Sequence, residues 1–449
     1  MSNFNILNFG ANQDKESLNT EAIQKAIDSA YEEGGGTVII PPGQFKAGTI
    51  YLKSKVTLKL ENGATLAAST EMKHFEQIDK KTENKDRQPY HFLVFDEVED
   101  VTICGDGKID GQGESFWHPR SGPGEWYKEK DKRVSPMIEV VNSKNIKFKD
   151  FTITNSPGWT CHFNMCDSIY IRGIRILNDL LGPNTDGLDI NGCHDVIVSD
   201  CHIETGDDAI VLKTTPDSRT CERVIVTNCD LRTNCVGFKL GANESYHDMR
   251  EITFSNSVVH KSSRAFGLYC LHGGTLENVS VNNIVCNTDN GMILNRPIHF
   301  DLRRKTDDAR MGKIRNIQVS NFTAKTKGRI LMTAEDGGQL ENITLRDIHL
   351  SFWDVEDAYN IEHKSGSSQF SNRSKKARQA NAAVVGDNIK NLVIENLAID
   401  WPDETKDFDF HVLWGRNLKG GYINSSMVTP YKDDLKIYKF INSDIQIKD

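Results

Sequence analysis

Hydrophobic and polar positions alternate along most of this chain in one short phrase that recurs. Each copy has a polar residue, an apolar residue, any residue and a second apolar residue. Apolar residues at every second position predict a β-strand with one buried face. The copies begin at Asp100, Asn145, Ser168, Asp195, Arg223, Glu251, Asn278, Asn316, Asn342 and Asn391.

Through the middle of the chain the copies lie about 23 to 28 residues apart. This spacing suits one coil of a parallel β-solenoid, in which stacked coils bury their apolar positions as columns. Leucine-rich repeats have a similar period, but the leucine-dense consensus that they need is missing. We therefore predict an all-β fold, a single-stranded parallel β-helix. We expect the asparagines at the turns to be structural, bonding local backbone or a neighbour one coil away.

One amphipathic helix precedes the strand region. Asn19 or Thr20 can cap its start, and Gly34–Gly36 ends it. A single helix before a long β region is typical of a cap over the open end of a solenoid. We thus predict a cap at about residues 1–36 in a single domain that spans 1–449. The apolar stripe of the helix comprises Ala22, Ile23, Ala26, Ile27, Ala30 and Tyr31.

Four breaks in the repeat spacing predict loop insertions, at about residues 70–92, 111–136, 286–313 and 352–388. Most charge runs in such loops are solvated faces. Long loops on one face of a solenoid are also where a binding cleft is walled, and both interpretations stay open here. The charged residues of the last two loops are Arg296, His299, Arg303, Arg304, Lys305 and Arg310, then Lys364, Arg373, Lys375, Lys376 and Arg378.

Composition narrows the functional classes. The net charge of −9 argues against a nucleic-acid binder, and no apolar run is long enough to span a bilayer. The start, Met1–Asn5, shows no secretory signal, which predicts a cytoplasmic protein, or a secreted or periplasmic one if a signal was removed. The ten cysteines have no Cys-x-x-Cys pair and no zinc-type spacing, so we expect them to be buried and reduced. We expect no metal and no cofactor, and the sequence does not indicate the oligomeric state.

Three aspartates are the candidate chemistry. Asp207 and Asp208 are adjacent, and Asp186 lies 22 residues before Asp208, close to one coil. Neighbouring strands of a parallel stack are about 4.8 Å apart, so residues one coil apart can project side by side. Consecutive residues on a regular strand point to opposite sides, so both Asp207 and Asp208 reach one site only if the strand bends or ends near Gly206. Clustered carboxylates suit glycoside hydrolysis, in which one acid protonates the leaving oxygen and a base activates water.

Several segments resemble the polygalacturonases, glycoside hydrolase family 28. Asn184–Gly187 (Asn-Thr-Asp-Gly) and Gly206–Asp208 (Gly-Asp-Asp) are similar to the first two signature motifs of that family. Gly105–Gly113 and Asn155–Trp159 also resemble it, and the similarity runs in order from about residue 5 to at least 350.

This resemblance implies a right-handed parallel β-helix, like that of the pectin lyases, and an inverting hydrolysis of pectic saccharides. It implies that Asp207 is the general acid and that Asp186 and Asp208 position and deprotonate the water. Asn184 would hold the substrate or orient Asp186. The expected partner is therefore a carbohydrate.

This chain departs from two of the family's motifs. The third, Gly-His-Gly, is matched by Cys235–Gly241, where Val236 replaces the histidine. The fourth, Arg-Ile-Lys, which grips a galacturonate carboxylate, is matched by Gly267–Tyr269. Since a carboxylate binds poorly without a bidentate partner, we expect an atypical pectic fragment or a neutral sugar unless Lys239 and Arg264 substitute.

Four other residues are candidates for binding sugar. His162 and Trp159 can form a platform for a sugar ring, although core packing explains Trp159 equally well. Lys213 is either a surface lysine or a cation that contacts substrate. Tyr269 stands at the position of the missing lysine of the fourth motif.

The sequence leaves two other functions open. A polysaccharide lyase on the same scaffold cleaves uronates by β-elimination and commonly uses calcium on clustered carboxylates, but the motif spacing favours the hydrolase. A non-catalytic carbohydrate-binding β-helix is the second alternative, and the intact aspartates argue against it. For a hydrolase, exo action on imported oligosaccharides would suit the long loops and the lack of a visible signal.

Overall fold

The structure is a computed structural model and describes residues 2–78, 86–290, 292–360, 374–425 and 428–448. Its strands pair in parallel from coil to coil, which confirms the prediction of an all-β parallel β-helix. Two compact units are distinguished: unit 1 comprises Met1–Val211 and Glu222–Thr233, and unit 2 comprises Leu212–Cys221 and Asn234–Asp449. The single domain over residues 1–449 stays a prediction.

Unit 1 is built from short strands separated by tight turns. Its strands are β1 Ser2–Asn5, β2 Gly36–Ile40, β3 Gly43–Ala47, β4 Ile50–Tyr51, β5 Val56–Leu60, β6 Ala64–Ala68, β7 Leu93–Asp96, β8 Thr102–Cys104, β9 Lys108–Asp110, β10 Trp117–His118, β11 Lys128–Glu129, β12 Ile138–Val141, β13 Lys144–Lys149, β14 Thr152–Thr154, β15 Cys161–Asn164, β16 Asp167–Arg172, β17 Arg175–Leu177, β18 Leu188–Asn191, β19 His194–Ser199, β20 His202–Thr205, β21 Ile210–Thr214, β22 Cys221–Thr227 and β23 Asp230–Thr233. The division between the units falls within β21 and after the first residue of β22.

Three ladders of parallel strands run through unit 1. Ladder A joins β1, β2, β5, β8, β13, β16, β19 and β22. Ladder B joins β3, β6, β9, β14, β17, β20 and β23. Ladder C joins β4, β7, β12, β15 and β18. Inward side chains of different ladders meet in the core, where the ring centroid of Phe148 lies 5.9 Å from Phe95 and 5.4 Å from Phe163.

Unit 2 has longer strands. They are β24 Val236–Ser245, β25 Met249–His260, β26 Arg264–Cys270, β27 Thr275–Thr288, β28 Ile298–Leu302, β29 Lys313–Thr326, β30 Ile330–Ala334, β31 Leu340–Phe352, β32 Ala382–Asp387, β33 Ile389–Asp400, β34 His411–Arg416, β35 Lys419–Asn424, β36 Tyr438–Ile441 and β37 Asp444–Lys448. Ladder D joins β25, β27, β29, β31, β33, β35 and β37. Ladder E joins β24, β26, β28, β30, β32, β34 and β36.

The polar residue that begins each copy of the sequence phrase has a left-handed backbone. In all ten copies φ lies between 54° and 62°. Asn and Asp tolerate this region better than most residues, because their short side chains bond locally. In unit 2 the side-chain amides also stack: Asn316 donates to Asn278 at 3.0 Å, Asn342 to Asn316 at 2.8 Å and Asn391 to Asn342 at 2.9 Å. The predicted structural role of these asparagines is confirmed.

The predicted helix is present as α1, Thr20–Glu32, and it packs on β1 and β2. Asn19 is the N-cap residue, as predicted, but its side chain makes no capping bond and instead accepts from the Asn12 N–H at 2.6 Å. The Thr20 hydroxyl accepts from the Gly48 N–H at 2.8 Å. Both side chains thus tie α1 to its surroundings. Tyr31 is half exposed, so the buried stripe is narrower than predicted and comprises Ala22, Ile23, Ala26, Ile27 and Ala30.

The predicted insertions are partly correct. Residues 70–92 and 111–136 lie between ladder strands, with 3-10 turns at Met72–His74 and Gly113–Phe116 and the antiparallel pair β10–β11. The other two were wrong as simple loops, because 286–313 contains β28 and 352–388 contains β32 and the short helix α2, Lys375–Arg378. β28 was missed because arginines flank its alternating pattern. Residues 79–85 and 361–373, with Lys364 and Arg373, lie outside the described residues.

Two further predictions concern cysteines and membranes. All ten cysteines lie within the described residues, and none is in a disulfide. Eight of them are buried, as predicted, whereas Cys104 and Cys235 are partly exposed. Among the described residues, no helix has the length and hydrophobicity needed to span a membrane.

Candidate active site

Asp207 and Asp208 lie in a turn between strands β20 and β21. β20 ends at Thr205 and β21 begins at Ile210, so the two aspartates are not on a regular strand. Their carboxylates approach within 4.8 Å of one another. The chain therefore bends here, as predicted, and the carboxylates of Asp207 and Asp208 lie in the same site.

Gly206 allows this turn to form. A Cβ at Gly206 would lie 2.4 Å from the Gly182 carbonyl oxygen and 2.8 Å from the Thr185 hydroxyl, which leaves no room for a side chain. The Gly206 N–H donates to the Thr185 hydroxyl at 2.9 Å, and that hydroxyl donates to the Gly182 carbonyl at 3.2 Å. The glycine thus lets the loop before Asp186 pack directly on the turn that holds the aspartate pair.

Asp186 is one coil away from Asp208 and in register with it. The Gly187 N–H donates to the Asp208 carbonyl at 2.9 Å, and the Leu188 N–H donates to the Ala209 carbonyl at 3.0 Å. This parallel pattern sets Asp186 opposite Asp208, at the spacing of about 4.8 Å between neighbouring strands. The structure therefore brings Asp186, Asp207 and Asp208 together.

The three aspartates differ in exposure. Asp207 is partly exposed, whereas Asp186 and Asp208 are 4% and 1% exposed. The Asp208 N–H donates to the Asp207 carboxylate at 2.9 Å, and the hydroxyls of Thr205 and Thr233 both donate to the Asp207 carbonyl. These bonds fix the turn, so the carboxylates are held in place before any substrate arrives.

Arg133 is a site residue that no motif of the sequence indicated. Its guanidinium is 1% exposed; it donates to the Pro183 carbonyl at 2.7 Å and to the Asn184 side-chain oxygen at 2.9 Å, and it pairs with Asp86 at 3.8 Å. Burial lowers the pKa of Arg133, but Asp86, Glu129, Asp186 and Asp207 oppose that shift by favouring the charged form. Arg133 is thus a buried cation within electrostatic reach of two of the aspartates.

The 111–136 insertion, which contributes Arg133, also contacts the aspartate turn. The Trp126 indole N–H donates to the Gly206 carbonyl at 3.2 Å, and the Tyr127 N–H donates to the Leu181 carbonyl at 2.8 Å. The Trp117 indole donates to the Pro157 carbonyl at 2.8 Å. This insertion is therefore part of the site, as the second interpretation of the long loops proposed.

His162 takes part in a buried polar chain on the outward side of ladder C. Its Nδ1 lies 2.9 Å from a carboxylate oxygen of Glu139, which also accepts from Arg87. Burial raises the pKa of Glu139, but the nearby His162, Arg87 and His91 outweigh it and hold that pKa well below its usual range. His162 and Trp159 are both buried, with ring centroids 5.5 Å apart, so core packing accounts for Trp159.

The other predicted binding residues, Lys213, Lys239, Arg264 and Tyr269, lie in unit 2. Lys213 is 4% exposed, so the interpretation as a surface lysine is wrong. The Arg264 guanidinium carbon lies 6.0 Å from the ring centroid of Tyr269, and the Tyr269 hydroxyl lies 3.1 Å from His299 Nδ1. In ladder E, Lys239 pairs with Gly267 and Gly267 pairs with His299.

The departures from the family motifs have local causes. A Cβ at Gly267 would lie 2.5 Å from the ring of Tyr269, so the tyrosine occupies the space of an arginine side chain at position 267. Val236 is 1% exposed and belongs to the core. Neither position can therefore carry the charged group that the family motif supplies.

Arginines of the 286–313 segment and α2 surround Tyr269 and His299. Arg296 and Arg303 are 1% and 6% exposed, so the prediction of solvated faces is wrong for them. Asp301 is 2% exposed; it accepts from Arg303 at 2.9 Å and forms an ion pair with Arg378 at 3.0 Å. Burial, followed by Arg296, Arg264, Arg378 and Arg303, lowers the pKa of His299 well below its usual value, so this imidazole is neutral.

A family profile described as "Glycosyl hydrolases family 28" matches residues 35–372, a span that holds all three aspartates. This chain belongs to family 28. The match confirms the resemblance that the motifs around Asp186 and Asp207 indicated.

Individual relatives agree with the family match. A "Probable polygalacturonase" of Vitis vinifera is 29% identical over 350 residues, which cover 75% of this chain and 64% of the relative, less than two thirds of its length. The exopolygalacturonase of Thermotoga maritima superposes with a TM-score of 0.66 at 22% identity, covering 78% of this chain and 87% of that one. The family 28 exopolygalacturonase of Yersinia enterocolitica gives 0.70 at 16% identity, covering 93% and 78%. At these identities the two structures support the fold alone.

Proposed function

We propose that this family 28 glycoside hydrolase cleaves pectic saccharides that contain galacturonate, with Asp207 as general acid and Asp186 and Asp208 as the groups that activate water. The observation that carries the proposal is the register of adjacent coils, in which Gly187 bonds Asp208 and so sets Asp186 beside the aspartate pair. The polygalacturonase names of relatives from Vitis vinifera and Pectobacterium parmentieri support the substrate class.

The roles follow from exposure. Asp207 is the most exposed of the three, so its proton can reach the leaving oxygen of a bound sugar. Asp186 and Asp208 are buried side by side, which suits holding and deprotonating one water on the opposite face of the sugar ring. An acid and a base that leave room for this water invert the anomeric configuration.

Lys239, Arg264 and Arg296 are our candidates to bind a galacturonate carboxylate, because the Arg-Ile-Lys motif of the family is missing from this chain. Burial raises the pKa of Tyr269, while Arg264, Lys239 and Arg296 act in the opposite direction, so all three cations lie within electrostatic reach of its hydroxyl. Arginine and lysine bind carboxylates by charge-assisted hydrogen bonds, which are about twice as strong as neutral ones. A uronate is therefore favoured over a neutral sugar.

The segment that contains α2 covers part of the outward side of ladder E, and this supports exo action. Outward residues Leu331, Val385 and Trp414 of β30, β32 and β34 pack with Ala377 and Ala380, at and just after α2. A saccharide that followed the outward side of ladder E could not continue past β28, because α2 occupies the next position. The two solved neighbours named above are exopolygalacturonases.

We also propose that the enzyme works in a reducing compartment. Ten cysteines without one disulfide are typical of proteins kept reduced, whereas secreted proteins usually pair them. Activity recovered in the cytosolic fraction of the source cells supports this proposal, and activity recovered only outside the cells contradicts it.

The substitution Asp207→Asn tests the function. It removes the acid without changing size, so release of new reducing ends from galacturonate oligosaccharides should fall by about 10³-fold or more, while the thermal midpoint stays unchanged. Asp106→Asn, at an exposed position of unit 1, is the matched control and should retain full activity. Near-normal turnover by the Asp207 variant overturns the assignment, and an ultraviolet-absorbing unsaturated product identifies a lyase instead.

A further inference from the structure

A second charged pocket lies in unit 2, beyond the ends of β28, β30 and β34. Its volume is about 610 Å³, within the range of pockets that hold small ligands. Four cations line it: Arg304, Lys375, Lys376 and Arg416. No role of the proposed reaction uses any of these residues.

The two lysines sit on a firmly held support. Arg378, at the end of α2, pairs with the buried Asp301 at 3.0 Å, and its carbonyl accepts from Arg329. Ala377 packs into the apolar cluster with Leu331, Val385 and Trp414. Because these contacts hold α2 on ladder E, Lys375 and Lys376 line the pocket from a fixed backbone.

The arginines of this pocket already have carboxylate partners. Arg304 pairs with Glu335 at 2.6 Å, and Arg416 pairs with Asp387 at 2.7 Å and with Asp336 at 3.3 Å. The side chains of Lys375 and Lys376 are exposed and form no ion pair with any residue in the described part of the chain. The charge available to an incoming ligand is therefore that of the two lysines.

The rest of the lining is polar and partly acidic. Three carboxylates, those of Asp307, Glu335 and Asp336, offer acceptors for hydroxyl groups. Ser374 and Gln379 offer both donors and acceptors. The carboxylates also repel ions of high negative charge, such as phosphate. A singly charged ring that carries several hydroxyls matches this lining better than a compact multivalent anion.

We propose that this pocket binds a uronate residue of a pectic oligosaccharide, with Lys375 and Lys376 on its carboxylate and the polar lining on its hydroxyls. The inference rests on the proposed function, because the pocket takes the same class of saccharide. The pocket holds a saccharide of its own, apart from the one being cleaved, and takes no part in bond cleavage.

Calorimetry in the Asp207→Asn background tests the pocket, because binding is then measured without turnover. The probes are galacturonate oligosaccharides of two to six units, neutral galactose oligosaccharides and inorganic phosphate. The variant Lys375→Ala/Lys376→Ala is compared with Lys390→Ala/Lys419→Ala, which removes the same charge from exposed, paired positions of ladder D. Thermal midpoints confirm that both variants fold.

The pocket variant should bind galacturonate oligosaccharides about tenfold more weakly than the parent protein, and the ladder D variant should bind them equally well. Binding of the neutral oligosaccharides should be the same in both variants. Unaltered or absent uronate binding overturns the inference, as does phosphate binding that depends on the lysines as strongly as uronate binding does. Lysine-dependent uronate binding by a protein whose native Asp207 form hydrolyses none of these saccharides refutes the proposed function instead.

Discussion

Units 1 and 2 use the same stacked coil but carry opposite charges where their strands face outward. In unit 1 the outward row of ladder C contains Glu139, His162 and Asp189, and the nearby turn carries the aspartate pair. In unit 2 the corresponding kind of row on ladder E contains Lys239 and His299, among buried arginines. The inward faces of both units are apolar, so the fold constrains the interior and leaves the outward rows free for chemistry.

The two units also differ in which segments supply their buried charged residues. The acids of unit 1 belong to the repeats themselves, whereas Arg133 comes from the 111–136 insertion. In unit 2, β28 supplies Asp301, while Arg296 and Arg378 lie in the segments that interrupt the repeat. Insertions therefore add buried cations to each unit.

The substitution Arg133→Met, in unit 1, should have the largest effect on stability. It removes the ion pair with Asp86 and the hydrogen bonds to the oxygens of Pro183 and Asn184, so the free energy of unfolding should fall by about 3 kcal/mol. Loss of the cation also raises the pKa of nearby carboxylates, so the pH profile of kcat should move to higher pH. Urea unfolding and a pH series of kcat measure the two effects.

Arg133→Lys is the matched control for this positioning role. It keeps the charge but cannot make the same set of bonds, so it should restore the pH profile while kcat stays below that of the wild type. A methionine variant with the wild-type pH profile would show that Arg133 supports the loop without acting on the aspartates.

In unit 2 the substitution Arg296→Met should instead act on KM. If Arg296 binds a substrate carboxylate, KM for galacturonate oligosaccharides should rise about 10- to 100-fold with little change in kcat, because a charge-assisted bond contributes about 1.5–3 kcal/mol. Arg315→Met, on ladder D and paired with Glu277, is the control. A fall in kcat at constant KM would place Arg296 with the reacting groups and erase this contrast between the units.

Acid titration should separate the units by a smaller effect. The pKa of His299 is lower in the folded than in the unfolded state, so its contribution to stability is complete above about pH 6.5 and is lost below it by up to about 1.4 kcal/mol per pH unit. The depressed pKa of Glu139 acts in the same direction, but only below about pH 4.3. Between these values His299→Gln should flatten the fall in stability measured with urea, and Glu139→Gln should not. Equal slopes in the wild type and the His299 variant would contradict this account.

Much of the fold follows from the sequence because it depends on local patterns. The alternating phrase fixes the strands, and the left-handed turns fall on the polar residues that begin each copy. The meeting of Asp186 with Asp208 was predictable for the same reason, since one coil separates them. Arg133 and β28 were not, because an insertion has no periodic pattern and the contacts of its residues depend on how it folds back. The burial of Arg296 was missed because a charge run usually lies in solvent.

The column of turn asparagines makes each coil a module. Asn342 accepts from Asn391 above it and donates to Asn316 below it, so neighbouring coils meet through the same amide contact. If one complete repeat were removed, the coils on either side of the cut could still contact each other through the same asparagine amides. If half a repeat were removed, the strands and turns on either side of the cut would not match. Length change in this protein is thus expected to come in whole-coil steps.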